Sequence, residues 1–216
     1  MQVYYIVLAV VALLALTIFI FYDYVLDLII GIQGNYRFTK MIKKMARKND
    51  YLVVSDILVR LSEQEFGYIR HLLIADKYIY VIMGKTMSGA ITGVGEDEKW
   101  IHLDTQRQHI SNPIKENRRL LKALAHQLNL PENDFVNIVV FAKSAIVDDI
   151  ALNNPLEAVL EENDFYHYIR MMEKTSSIND MDPQYAEILV DKIQKLNAYN
   201  LKIRNNLTSG DMHGVT

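Results

Sequence analysis

An uncharged run of twenty residues near the amino terminus limits what this chain can be. From Val3 to Tyr22 it reads VYYIVLAVVALLALTIFIFY. At about 1.5 Å rise per residue, about twenty residues span the roughly 30 Å hydrocarbon core of a bilayer. Backbone polar groups find no water there, so such a run crosses as a helix. Tyr4, Tyr5, Tyr22 and Tyr24 fall near its ends, where amphipathic rings favour the headgroup region. A second apolar stretch, Val25 to Ile30, is interrupted by Asp27 and reads as the helix leaving along the interface. A cleaved signal peptide wants a positive start, a shorter core and a small-residue exit. Here no Lys or Arg precedes Arg37, and Ala9, Ala12 and Ala15 lie in mid-run. The expectation is an uncleaved, single-pass anchor with its interfacial extension over 1–30.

The flank sets orientation. Arg37, Lys40, Lys43, Lys44, Arg47 and Lys48 follow with no acid between Asn35 and Asn49. Cytoplasmic flanks carry the Lys/Arg excess, so the amino terminus is expected outside the cell membrane and the soluble part in the cytoplasm. Phe38, Met41, Ile42 and Met45 recur at helical spacing opposite these cations, which makes 35–48 an amphipathic helix. Its charges either contact anionic lipid headgroups or form a solvated, topogenic face. The chain has no cysteine, which suits a reducing compartment and many exported proteins alike. A formal net charge of −3 excludes a globally basic nucleic-acid coat.

Beyond residue 30 the chain is long enough for one packed domain with additional helix. Tyr51–Leu58, Gly67–Ile74 and Lys77–Ile82 read as strands. The last two form a hairpin whose paired residue numbers sum to about 152 or 153. Gly89–Val94 and Lys99–Leu103 are weaker strands around the turn Gly95-Glu96-Asp97-Glu98. Asn112-Pro113 opens a helix to about Leu128, with Asn as cap and Pro in the first turn. Val136–Ala142 suits a strand buried on both faces. Asn154-Pro155 and Asp182-Pro183 repeat the helix-start signal. The last helix, to about Ile203, carries Tyr185, Ile188, Leu189, Ile193 and Leu196 as a packing stripe, and a frayed tail from Thr208 to Thr216 follows. The class is α/β.

Three chemistries lack their pattern. Gly84-Lys85-Thr86 looks like the end of a phosphate loop, but Ile79 stands where its first glycine is needed. His71, His102, His109, His126, His167 and His213 show no paired metal spacing. No GxSxG elbow anchors a hydrolase triad.

The order of strand Tyr68–Leu73, strand Tyr78–Lys85, Ser88-Gly89, Lys99-Trp100 and Asn112-Pro113-Ile114-Lys115-Glu116-Asn117 resembles the nuclease-related domain (NERD) family. That family is a branch of the restriction-endonuclease-like PD-(D/E)XK superfamily, and the resemblance implies a bacterial protein. The resemblance spans roughly 31–150. It implies a mixed sheet flanked by helices, preceded here by one transmembrane helix and followed by a C-terminal helical region over 151–216. The family pattern has G-x-x-G-E, I-D-H, E-V-K and N-P-x-x-Q/E-N. In this chain Gly31-Ile32-Gln33-Gly34 is followed by Asn35 in place of the acid. Arg70 replaces the aspartate before His71, Met83 replaces the glutamate, and Lys85 is kept.

The family's chemistry implies Mg²⁺, which requires oxygen ligands. By the hairpin sum Arg70 stands about opposite Ile82 or Met83. Arginine repels a dication and cannot deprotonate, and thioether sulfur is too soft for magnesium. No metal, no cofactor and no metal-dependent cleavage are therefore expected. Arg70, His71 and Lys85 are either a remnant anion-binding pocket or a structural site in which Arg70 pairs with an acid such as Glu63 or Glu65. The reading is a membrane-anchored, catalytically inactive nuclease-like module that binds or scaffolds an unidentified protein partner. The alternatives are an active membrane nuclease rescued by shifted acids (Glu65, Asp76, Asp97) and a non-catalytic module binding nucleic acid or another anion.

Overall fold

A computed structural model of the chain describes Val11 and residues 22–211, with side chains from Tyr36 to Leu207 besides Val11. The apolar run from Val3 lies, but for Val11 and Tyr22, outside the described residues. Among those, no helix is long and apolar enough to cross a membrane. The interfacial extension and the basic amphipathic segment are one helix, α1 (Tyr22–Asn49), unbroken through Gly31 and Gly34. After it come β1 (Leu52–Arg60), β2 (Phe66–Ile74), β3 (Ile79–Lys85), β4 (Gly89–Val94), β5 (Lys99–Leu103) and β6 (Arg107–Ser111). Helix α2 (Pro113–Leu128) leads to β7 (Phe135–Phe141), β8 (Ala145–Ala151) and β9 (Glu157–Glu161). Helices α3 (Phe165–Thr175) and α4 (Pro183–Asp211) follow.

The strands form two mixed sheets flanked by helices. The central sheet has the order β1-β2-β3-β7-β9, the smaller one the order β6-β5-β4-β8. β1, β2 and β3 pair antiparallel, whereas β7 runs parallel to both β3 and β9. Every residue of β7 is buried, as befits a strand covered on both faces. On one face, Phe38, Ile42 and Met45 of α1 and Phe165 and Ile169 of α3 pack on Leu73, Tyr80, Ile82, Val136 and Val140. On the other, Leu120, Leu121 and Leu124 of α2 and Leu189 and Ile193 of α4 pack on Leu72, Ile79 and Val81. Trp100 joins the smaller sheet to the larger, buried beside Ile91, Ile114, Val139 and Phe141.

The β2–β3 register sums to 153, from Ile74 opposite Ile79 to His71 opposite Ile82. Asn112 caps α2 as its sequence requires, its Oδ1 accepting from the N–H groups of Ile114 (3.0 Å) and Lys115 (3.2 Å). The same signal at Asn154-Pro155 opens no helix. Asn154 Oδ1 accepts from Leu156 N–H at 3.0 Å, a side-chain turn that delivers the chain into β9. Residues 151–216 therefore contain β9, one of the two edge strands of the central sheet, as well as two helices. At Asp182-Pro183 the helix does start, with Gln184 N–H donating to Asp182 Oδ1 at 2.8 Å, and it runs on past Ile203 to Asp211. Residues 212–216 of the expected tail lie outside the described residues. Leu189 and Ile193 face the core, but Tyr185 and Ile188 are exposed. Leu196 packs against the core as expected, and Ala186 and Val190 take the places of Tyr185 and Ile188, where α4 lies on β1.

Candidate functional site

The residues singled out in the sequence lie around the carboxyl-terminal end of β3, and they face different ways. The β2–β3 ladder ends at His71 and Ile82, one pair short of Arg70 and Met83. Arg70 turns outward, its Nη1 3.2 Å from Asp56 Oδ1, with both side chains more than half exposed. Asp56 sits at the matching level of β1 with a left-handed φ of 55°. On either side of this pair both strands change which face meets the α2–α4 layer. Val54 and Ile57 are both in it, as are Leu72 and Ile69. The expected partners of Arg70 take other roles. Glu65 pairs with Arg119, and the Glu63 carbonyl accepts from Arg60.

His71 points to the α1 side, with Nε2 3.5 Å from Thr39 Oγ1. It is 3% exposed, and its Nδ1 has no hydrogen-bond partner among the described residues. Burial pushes this imidazole down to about 4, helped by the Arg70 and Lys43 charges and opposed by Asp56. Lys85 points to the α2 side, where its Nζ donates to Glu116 Oε2 at 3.1 Å. Asn35 is placed only as a position in α1. Arg70, His71 and Lys85 thus do not converge on one point.

Between Met83 and Lys85, Gly84 packs directly under α1. A Cβ built there would stand 2.4 Å from Phe38 Cδ2 and 2.8 Å from Cε2. Gly84→Ala is expected to cost about 1–3 kcal/mol by overpacking, read as a lower urea midpoint with an unchanged slope. An unchanged midpoint would mean that α1 can shift freely on the sheet.

Lys85 and Glu116 border a cavity of about 300 Å³, lined further by Met87, Ile110, Pro113 and Phe141. These residues offer one carboxylate, already engaged by a lysine. Met83 brings sulfur, and its side chain packs among apolar neighbours. This donor set does not fit magnesium, which needs several oxygen ligands. Among the described residues, no group of three or more His, Asp or Glu is placed to hold a metal ion. Asp76 and Asp97 do not line this cavity; they sit in the turns before β3 and β5.

The model of the nuclease-related domain matches residues 30–142. The chain belongs to the nuclease-related domain family. Among curated proteins and among solved structures, nothing matches it. The NERD segment ends just after β7, so β8, β9, α3 and α4 lie beyond it. One of these completes a buried polar network. Asn117 Nδ2 donates to Asn137 Oδ1 at 2.7 Å and to the Val81 carbonyl at 2.9 Å, joining α2 to β3 and β7. Asn137 Nδ2 donates to Glu157 Oε1 of β9 at 2.9 Å, and Arg118 grips Glu157 at 2.6 and 2.7 Å. Asn112 donates to the carbonyls of Gly95 (3.0 Å) and Asp97 (2.7 Å), fixing the β4–β5 turn. The two asparagines of N-P-x-x-E-N thus hold the fold, and its Glu116 holds Lys85. The motif is visible in the sequence; that Glu116 meets Lys85 across 31 residues is not.

Proposed function

We propose that this NERD protein is tethered to a membrane by its N-terminal apolar run and acts as a non-cleaving binding or scaffolding module on the cytoplasmic side. The observation that carries the reading is the Lys85–Glu116 pair beside a methionine, where the family pattern has a glutamate. Lys85 is turned onto Glu116, the one carboxylate in the cavity lining, and among the described residues no second acid stands beside it there. A dication at Glu116 would have to displace the Lys85 ammonium and would find methionine where the family pattern has its second acid. The tether rests on the length of the uncharged run and on the basic flank that follows it.

The test is supercoiled plasmid incubated with the full-length chain and Mg²⁺ or Mn²⁺. The expected result is plasmid that stays supercoiled. Metal-dependent nicking that Lys85→Ala or Glu116→Gln abolishes would overturn the proposal and install the active-nuclease reading. Protease added outside sealed cells is expected to leave the C-terminal tail intact; its removal would reverse the orientation.

A further inference from the structure

The helical layer made by α1 and α3 is charged on a scale the rest of the chain is not. Residues 36–49 hold six cations and no acid, and 165–175 hold Arg170 and Lys174 against Glu173. In a chain of formal net charge −3, all other residues together are therefore net −10. α1 and α3 lie side by side on this layer. Arg37 of α1 meets Glu162, just before α3, at 2.9 Å. At the other end, Lys48 shares a groove of about 880 Å³ with Tyr166, His167, Arg170 and Lys174. Lys40, Lys43, Lys44, Arg47, Lys48, Arg170 and Lys174 are exposed. None of them forms an ion pair with another described residue.

The unbroken course of α1 adds a second pattern. Eighteen residues make about five turns at about 3.6 residues per turn. Positions 25, 26, 29 and 30 therefore share the helix phase of positions 43, 44, 47 and 48. The first four are Val, Leu, Ile and Ile; the second four are Lys, Lys, Arg and Lys. A different phase, that of Phe38, Ile42 and Met45, is taken by packing against the sheet. One phase of the helix thus passes from apolar to cationic residues along its length.

We infer that α1 lies along a bilayer surface whose lipids are anionic. Its apolar first half sits at the acyl boundary, and its cationic second half, with the α3 cations, lies on the headgroups. This rests on the membrane-tether reading and deepens it. Nucleic acid would meet the cations equally well, but it gives no role to the apolar half of the same phase. An upright α1 would hold Lys48 about 39 Å beyond Tyr22, several Debye lengths of about 8–10 Å away. Lying flat brings the whole face within reach.

The chain has no cysteine, so Met171→Cys on α3 gives a single site for a fluorophore. The labelled full-length protein is placed in bilayer discs of phosphatidylcholine, or in discs with about a third phosphatidylserine, both carrying a headgroup quencher. Quenching is expected to be at least twofold stronger in the anionic discs. It should fall to the neutral-lipid level at high salt and in Lys43→Glu/Lys44→Glu/Arg170→Glu, whose thermal melt should match the parent. Equal quenching in both discs overturns the inference, as does an unchanged triple variant. So does wild-type binding of a short DNA duplex with no effect of lipid charge. Vesicle flotation separates the tether from the surface contact. A chain that floats only with anionic vesicles, and is released by salt, lacks the anchor yet keeps the inferred contact.

Discussion

Arg118→Met is expected to destabilise the fold by about 3–5 kcal/mol, because it strands a buried carboxylate. The Glu157 side chain is 2% exposed. Its two oxygens accept from Arg118 Nε and Nη2 at 2.6 and 2.7 Å, and one also accepts from Asn137. Without the guanidinium, Asn137 alone remains to compensate the charge. The second arm of Arg118, to the exposed Glu96, is screened by water and worth little. Glu96→Gln should therefore leave the urea midpoint close to that of the parent. Replacing both buried partners, Arg118→Met with Glu157→Leu, should recover most of the loss, since a packed apolar pair avoids the desolvation penalty. Urea unfolding at neutral pH measures all three. A loss below about 1 kcal/mol for Arg118→Met would show that water reaches Glu157.

The second large effect is one of pH. His71 is held neutral in the folded protein, pushed down to about 4 by burial, whereas the unfolded chain has an ordinary histidine near 6.5. Between these values the unfolded state binds the extra proton, so stability falls as pH drops from about 6.5 toward 4 and is level below that. At about 1.4 kcal/mol per pKa unit the full contribution is about 3.5 kcal/mol. The carboxylates add their own pH dependence. Comparison with His71→Gln cancels theirs, because that variant keeps a polar side chain and does not titrate. The stability difference between the two proteins should shift in favour of the variant by about 2–3 kcal/mol from about pH 7 to about pH 4.5. A difference that stays constant would mean that the Asp56 charge cancels burial and leaves the folded imidazole at its ordinary value, and a shift of the opposite sign that Asp56 outweighs burial.

Much of the scaffold is legible in the sequence because its causes are local. A cap bonds its own next residues, so Asn112 announces α2 correctly. The unbroken apolar composition of β7 reflects burial on both faces. Where the cause lies elsewhere in the chain, the reading stops. Asn154-Pro155 looks like Asn112-Pro113, yet it leads into a strand, because Glu157 is held there by Arg118 and Asn137. β8 carries Asp148 and Asp149 because much of it is exposed, and a strand with so little apolar alternation gives no signal. The site follows the same division. The losses at Arg70 and Met83 can be read from spacing. That Arg70 answers to Asp56, and Lys85 to Glu116, depends on strand register and on a helix crossing that no short pattern records.

The parallel contact of β3 with β7 also has a consequence for biogenesis. Between Lys85 and Phe135 lie the whole β4–β6 meander and α2. A ribosome adding about 5–20 residues per second therefore leaves the β1–β3 hairpins with an open edge for seconds before β7 emerges. During that interval β3 is a bare template for any passing strand, a hazard for a newly made chain. Lengthening the meander would add little thermodynamic penalty, roughly 0.6 kcal/mol per doubling of the loop. It would extend the exposed interval in direct proportion.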